Sequence, residues 1–380
     1  MTPVLVDRVR ARLLSSGGDA TPGRVAAALR DEGLVLGDDA VLDLVRMLRQ
    51  ELIGLGPLDP LVIDPTTTDV LVNAPDSVWV DRGHGLQRTD VRLGSEADVR
   101  RLAQRLAATA GRRLDDAAPH VDAQLPGGVR FHAVLAPVAV DSTVISLRVP
   151  SRQAFTLEAM VLHGSMDHAT AELLRAMVRR RLAILVSGGT GSGKTTLLSA
   201  LLSTVPHDER IVIVEDSTEL APSHPHVVRL QARLANVEGS GAVSSRDLVR
   251  QALRMRPDRL VVGEVRGAEV VDLLAAMNTG HEGGAGTVHA NSAEDVPARL
   301  EALGLMAGLD RAALHALLGA GVDAVIHLGR VAGTRVISGV HLLATGDDGV
   351  VRTQPALLRR GDALTCGPAM ERLRARVDAS

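Results

Sequence analysis

Apolar and polar positions follow one another along this chain in three rhythms, and the changes of rhythm mark its parts. Up to about residue 53 the apolar positions recur at helical spacing. Val41, Leu44, Val45, Leu48 and Leu52 fall on one stripe, and Thr21-Pro22 is a helix-start signal. Gly54-Leu55-Gly56-Pro57 ends that pattern, so residues 1–53 are expected to form an N-terminal helical segment. Strand-like runs then take over at 69–73, 77–81, 130–135 and 142–149. They are broken by a Gly83-His84-Gly85 turn and a helical stretch at 95–109, which predicts a small α+β domain over 54–150. Pro150-Ser151-Arg152 opens a polar stretch read as a linker, 151–165. Beyond it, short wholly apolar runs alternate with helical segments, as in an α/β domain over 166–345. After Gly346 the periodicity weakens and turn signals multiply, so 346–380 is assigned only as a C-terminal tail. The chain holds no internal repeat and no low-complexity tract.

Composition narrows the function classes. With 46% hydrophobic residues over 380 positions, the chain can bury sizeable cores. One cysteine, Cys366, excludes an intrachain disulfide and fits a reducing compartment, and no apolar run approaches a membrane span or a signal-peptide core. A cytoplasmic location is expected. A formal net charge of −3 argues against wholesale binding to a nucleic-acid backbone, and 1% aromatic residues with no tyrosine leaves little for base stacking.

Charge type is more telling than charge sum. Of 42 Lys and Arg residues only Lys194 is a lysine, and it lies in Gly188-Gly189-Thr190-Gly191-Ser192-Gly193-Lys194-Thr195. An apolar run, 181–187, precedes this segment and a helical pattern, Thr195-Thr196-Leu197-Leu198, follows it. Strand, glycine loop and helix form the order of a phosphate-binding P-loop. The glycines let backbone N–H groups converge on a β-phosphate, and a compact ammonium at Lys194 bridges phosphate oxygens where a planar guanidinium is too wide. The Thr195 hydroxyl is the expected Mg²⁺ ligand, with ATP and Mg²⁺ the expected cofactors and Thr196 a further contact.

Two more apolar runs end in acids: 211–214 leads into Glu215-Asp216-Ser217-Thr218-Glu219, and 260–263 leads into Glu264. The carboxyl ends of parallel strands converge on the ligand crevice, so these acids point toward a γ-phosphate and its metal. Glu264 and Glu219 are candidates for orienting or deprotonating water, and Glu215 and Asp216 for holding the metal nucleotide. Downstream, His281 and His289 lie in a glycine-rich segment with no cysteine near enough for a zinc site. They are candidates for sensing the terminal phosphate by hydrogen bonds.

Together the P-loop, the acidic box 215–219, the strand ending Gly263-Glu264 and the histidine box 278–291 resemble the secretion ATPases of type II and type IV machines. Within that family the likeness is to the tight-adherence, CpaF-like pilus-assembly branch and its conjugal-transfer-associated relatives. It spans roughly residues 50 to 345. The resemblance implies a RecA-like P-loop ATPase domain preceded by the small α+β domain and N-terminal helices. It also implies a Gly-Glu ending where other P-loop ATPases carry an aspartate. It implies a homo-hexamer and an inner-membrane platform as partner, with peripheral membrane association through that partner. Hydrolysis would reorient the two domains. Arg130, in Gly128-Val129-Arg130-Phe131-His132, and Arg148, in Ile145-Ser146-Leu147-Arg148, match family arginines that neutralise phosphate charge. A conjugative DNA-transfer ATPase and a nucleotide-gated assembly module with little turnover remain the alternatives.

Overall fold

A computed structural model of the protein describes residues 27, 29–31, 54–83, 85–150, 155–233, 235, 240–280, 282–361 and 363–378. The expected N-terminal helices lie outside the described residues, except that Ala27 and 29–31 are helical. The chain divides into two units, Met1–Ser151 and Arg152–Ser380.

In the first unit a short helix α1 (Asp59–Ile63) precedes strands β1 (Asp69–Ala74), β2 (Ser77–Asp81) and β3 (Leu86–Arg88). Helix α2 (Glu96–Thr109) and strands β4 (His120–Gln124), β5 (Arg130–Val134) and β6 (Val144–Arg148) follow. The six strands form one antiparallel sheet in the order β3-β2-β1-β6-β5-β4. Strict alternation explains why it has one dry face: Val70, Val72, Val78, Val80, Phe131, Ala133, Ile145 and Leu147 are buried in one core with Val99, Leu102 and Leu106 of α2. A reciprocal Ser95–Asp98 capping box starts α2. The residues between the buried ones form the other face. There Gln124, Arg130, Arg148 and Asp69 stand in register across four strands.

The second unit begins with α3 (Leu157–Leu162), within the stretch read as a linker, and α4 (His168–Arg179). Then come β7 (Ile184–Gly188), α5 (Lys194–Leu202), β8 (Ile211–Glu215), β9 (Val227–Gln231), α6 (Ser245–Ala252) and β10 (Arg259–Val262). Next are α7 (Glu269–Asn278), β11 (Ala285–His289), α8 (Val296–Met306), α9 (Arg311–Gly321) and β12 (Ala324–Val331). The last elements are β13 (Thr334–Thr345), β14 (Val351–Arg360), β15 (Ala363–Cys366) and α10 (Met370–Asp378). The nine-stranded sheet runs β15-β14-β13-β12-β7-β11-β10-β8-β9. Strands β7 to β12 are parallel, and β13 to β15 extend them antiparallel. Ile184 and Val186 face one core while Ala183 and Leu185 face another, and Ile211, Ile213 and Val212, Val214 divide the same way. A sheet dry on both faces needs apolar residues at every position, which is why these strands read as unbroken apolar runs. The described residues of the tail, 346–361 and 363–378, belong to this architecture: β14 and β15 widen the sheet, and α10 buries Leu373 and Val377 in the first of those cores.

Candidate functional site

The site is built where β7, β8, β10 and β11 end. Gly188 closes β7 with φ 151°, and a Cβ there would come within 2.7 Å of the Leu328 carbonyl oxygen of β12. Gly193 caps α5 at φ 96° and offers no side chain to its first N–H groups. Only glycine turns the chain this way without strain, and the helix begins with its donors uncapped. Ser192 Oγ is buried without a hydrogen-bond partner among the described residues. A Cβ on Gly189 would meet nothing within 4 Å. Orphan donors, an open loop and one buried cation fit a phosphate chain.

Lys194 is buried and donates from Nζ to the carbonyl oxygens of Gly188 at 3.0 Å and Gly189 at 2.8 Å. Burial holds its pKa below the ordinary lysine value, against the opposing pull of Glu264 and Glu219. Thr195 and Thr196 are half-buried on the first turn of α5, and Thr195 Oγ1 donates to Glu219 Oε2 at 3.3 Å.

The acids of 215–219 separate into different positions. Glu215 is buried, and its Oε1 accepts the backbone N–H groups of Glu219 at 3.0 Å and Leu220 at 2.9 Å. It therefore shapes the turn that presents Glu219 to Thr195. Burial pushes its carboxyl up to about 7. Asp216 instead accepts a hydrogen bond from Ser245 and pairs with Arg266.

Glu264 follows β10 in a loop tied to both neighbouring strands. Gly263 N–H donates to Val214 of β8 at 2.8 Å, while Thr287 Oγ1 of β11 donates to the Gly263 carbonyl at 2.5 Å. Val265 N–H donates to the Thr287 carbonyl at 2.8 Å. A Cβ on residue 263 would sit 2.5 Å from Glu215 Cγ, so the Gly-Glu ending has a steric cause. Glu264 Oε1 meets His289 Nε2 at 3.2 Å. Burial and nearby Lys194 hold the His289 pKa below the ordinary histidine value. His289 is the direct register partner of Gly188. Beside it a cavity of about 520 Å³ is lined by Gly189, Thr190, His289, Asn291, Asp295 and Arg299, among others.

Thus the loop, Lys194, Thr195, Glu219, Glu264 and His289 come together in one unit. His281 lies outside the described residues. Arg130 and Arg148 belong to the first unit, directly opposite each other on β5 and β6; Arg130 pairs with Asp122 at 2.9 Å and Arg148 with Asp69 at 3.7 Å. Sequence reasoning missed Arg330, whose Nη2 donates to the Gly191 carbonyl at 2.9 Å, and Arg299 of the cavity. A signal was available for the first: an arginine one residue before the end of a strand pattern that runs into a Gly333 turn.

The profile of the family described as type II/IV secretion system protein matches residues 51–337. The chain is 56% identical to a putative conjugal transfer protein of Mycobacterium tuberculosis, over 91% of this chain and 100% of that one. It is 33% identical to a type IV secretion system PtlH homolog of Bordetella bronchiseptica, over 73% of this chain and 90% of the relative. Among solved structures, the pilus retraction motor PilT with bound ADP superposes with a TM-score of 0.54 at 22% identity, over 74% of this chain and 80% of that one. That last likeness concerns the fold.

Proposed function

We propose, for a chain that belongs to the type II/IV secretion system protein family, that it hydrolyses MgATP to drive a pilus-assembly or secretion apparatus at the inner membrane. The observation that supports this most is the convergence of Lys194, Thr195 and Glu219 with the Glu264–His289 pair around one glycine loop.

In this reading the backbone N–H groups of 188–194 and the Lys194 ammonium bind the β- and γ-phosphates. Thr195 and Glu219 would hold Mg²⁺, which would neutralise phosphate charge and polarise the bond to be broken. Glu264 orients the attacking water and takes up its proton, and His289, in contact with Glu264, senses whether the γ-phosphate is present. Glu215 is a positioning residue for Glu219. Arg130 and Arg148, opposed on one sheet face, offer two forks to phosphate oxygens. The chain works as a homo-hexamer on the cytoplasmic side, bound peripherally through platform proteins. Among the described residues no helix is long and apolar enough to cross a membrane.

The test is phosphate release and ATP binding by the purified chain. Lys194→Ala abolishes binding, whereas Glu264→Gln keeps binding and lowers turnover by about 10²- to 10⁴-fold, the span of general-base effects. Unchanged turnover in Glu264→Gln would replace the motor with a nucleotide-gated assembly module. The name of the mycobacterial relative favours a second reading, a motor for conjugative DNA transfer. Relaxase and coupling-protein genes beside this one would support it; pilin and platform genes would support the first.

A further inference from the structure

Strands β12 and β13 form a hairpin whose tip carries Arg330 and Arg335 on directly opposed register positions. Arg330 reaches the P-loop by its bond to the Gly191 carbonyl, and the Cδ of Arg335 lies 3.4 Å from where a Cβ on Gly193 would stand. Both arginines are exposed, and neither has a carboxylate partner among the described residues. That sets them apart from Arg266, Arg352 and Arg376, which pair with Asp216, Asp348 and Asp323. Like charges directly opposed on antiparallel strands repel, and an anion between them turns repulsion into attraction.

The position says which anion. In the sheet β7 lies between β12 and β11, so the hairpin stands on one flank of the P-loop while His289 and, beyond it, Glu264 stand on the other. A phosphate chain whose terminal group faces Glu264 extends its inner phosphates toward the opposite flank.

We infer that Arg330 and Arg335 clamp the α- and β-phosphates of the nucleotide from the hairpin, within the same chain that supplies the P-loop. The clamp rests on the ATPase reading above and adds the diphosphate moiety as the group it recognises. Arg330 also braces Gly191, so Arg335 is the cleaner probe.

Titration calorimetry with MgADP and with MgATPγS tests it on the full chain, comparing wild type, Arg335→Ala, Arg335→Lys and Lys194→Ala. One exposed charge-assisted contact is worth about 1.4 kcal/mol, so Arg335→Ala weakens both ligands by the same factor of about ten. The KM for ATP rises in parallel, with kcat less affected, and Arg335→Lys recovers part of the affinity. A purely structural hairpin predicts no recovery with lysine and a fall in kcat instead. The clamp is refuted if wild type binds both ligands and Arg335→Ala binds them equally well, or if only MgATPγS weakens, which would put Arg335 at the γ-phosphate. Failure of wild type to bind either ligand sinks the ATPase reading itself.

Discussion

Replacing Glu215 by glutamine should stabilise the protein at alkaline pH, although it removes a charge from the candidate site. The carboxyl is buried, and its folded value of about 7 stands against an ordinary 4.5. Desolvation is the largest cause; the nearby Glu219 charge adds to it, and the N–H groups of Leu220 and Glu219 oppose it. Between those two values the folded state holds a proton that the unfolded chain has released. Stability is therefore fully present below pH 4.5 and is lost as pH rises toward 7, by about 3 kcal/mol in all. Glutamine keeps the Oε1 acceptor for both N–H groups and carries no charge at any pH. The assay is urea denaturation of wild type and Glu215→Gln from pH 4.5 to 8.5, read as the difference between the two. Half-buried His289 and buried His327 and His341 have lowered values and an opposite slope, losing stability as pH falls, but they are common to both proteins and cancel. The difference should open from near zero at the acid end to about 3 kcal/mol in favour of glutamine above pH 7. A difference that stays flat, or that favours glutamate at pH 8, refutes the assignment of Glu215 as a buried brace.

Lys194→Arg, nominally conservative, should lower ATP affinity at least tenfold in a binding titration, roughly 1.4 kcal/mol, because a guanidinium is too wide for the loop that Nζ spans at 2.8 and 3.0 Å. Gly263→Ala forces a methyl group against Glu215 and should lose about 1–3 kcal/mol on thermal melting together with phosphate release; a neutral result would mean Glu215 has room to move. Glu209→Ala strands the buried Arg259, which Glu209 meets at 2.6 Å, and should cost about 3–5 kcal/mol in denaturant unfolding. On the proposed role of Arg130 and Arg148, replacing either by alanine should reduce kcat by about 10³-fold or more with ADP affinity little altered; intact turnover would confine them to the Asp122 and Asp69 pairs.

The central parallel strands were legible because burial on both faces removes ambiguity from their sequence: 211–214 and 260–262 can be little else. The edges were not. Strand β3 is exposed at all three positions and β4 buries only Val121, so neither shows a pattern to read. Strand β14 carries Pro355, a residue that normally argues against an inner strand. Here it sits where the register with β13 shifts between Val340 and His341, and the irregularity accommodates it. At the site, the loop, Thr195 and Glu264 could be read from spacing alone because each stands at a strand end or helix start. Division of labour among Glu215, Asp216 and Glu219 could not. It depends on Gly263, Ser245 and Arg266, which are distant in sequence and meet those acids only through the fold.

The pairs at the site also explain why this chain needs more cations near its P-loop than one lysine. Lys194 bonds two carbonyls of its own loop, Thr195 bonds Glu219, and His289 meets Glu264, so a phosphate chain must exchange partners rather than simply add them. The one ammonium is already faced by two carboxylates, Glu219 and Glu264. A polyanion entering that field meets a balance that is not positive, and Lys194 alone does not reverse it. Raising the lysine count inside the loop is blocked by desolvation, which already holds Lys194 below its ordinary value. The compensating charge has to stand at the rim, where a guanidinium stays hydrated and charged while reaching inward. Arg330 and Arg335 occupy that kind of position on the β12 flank.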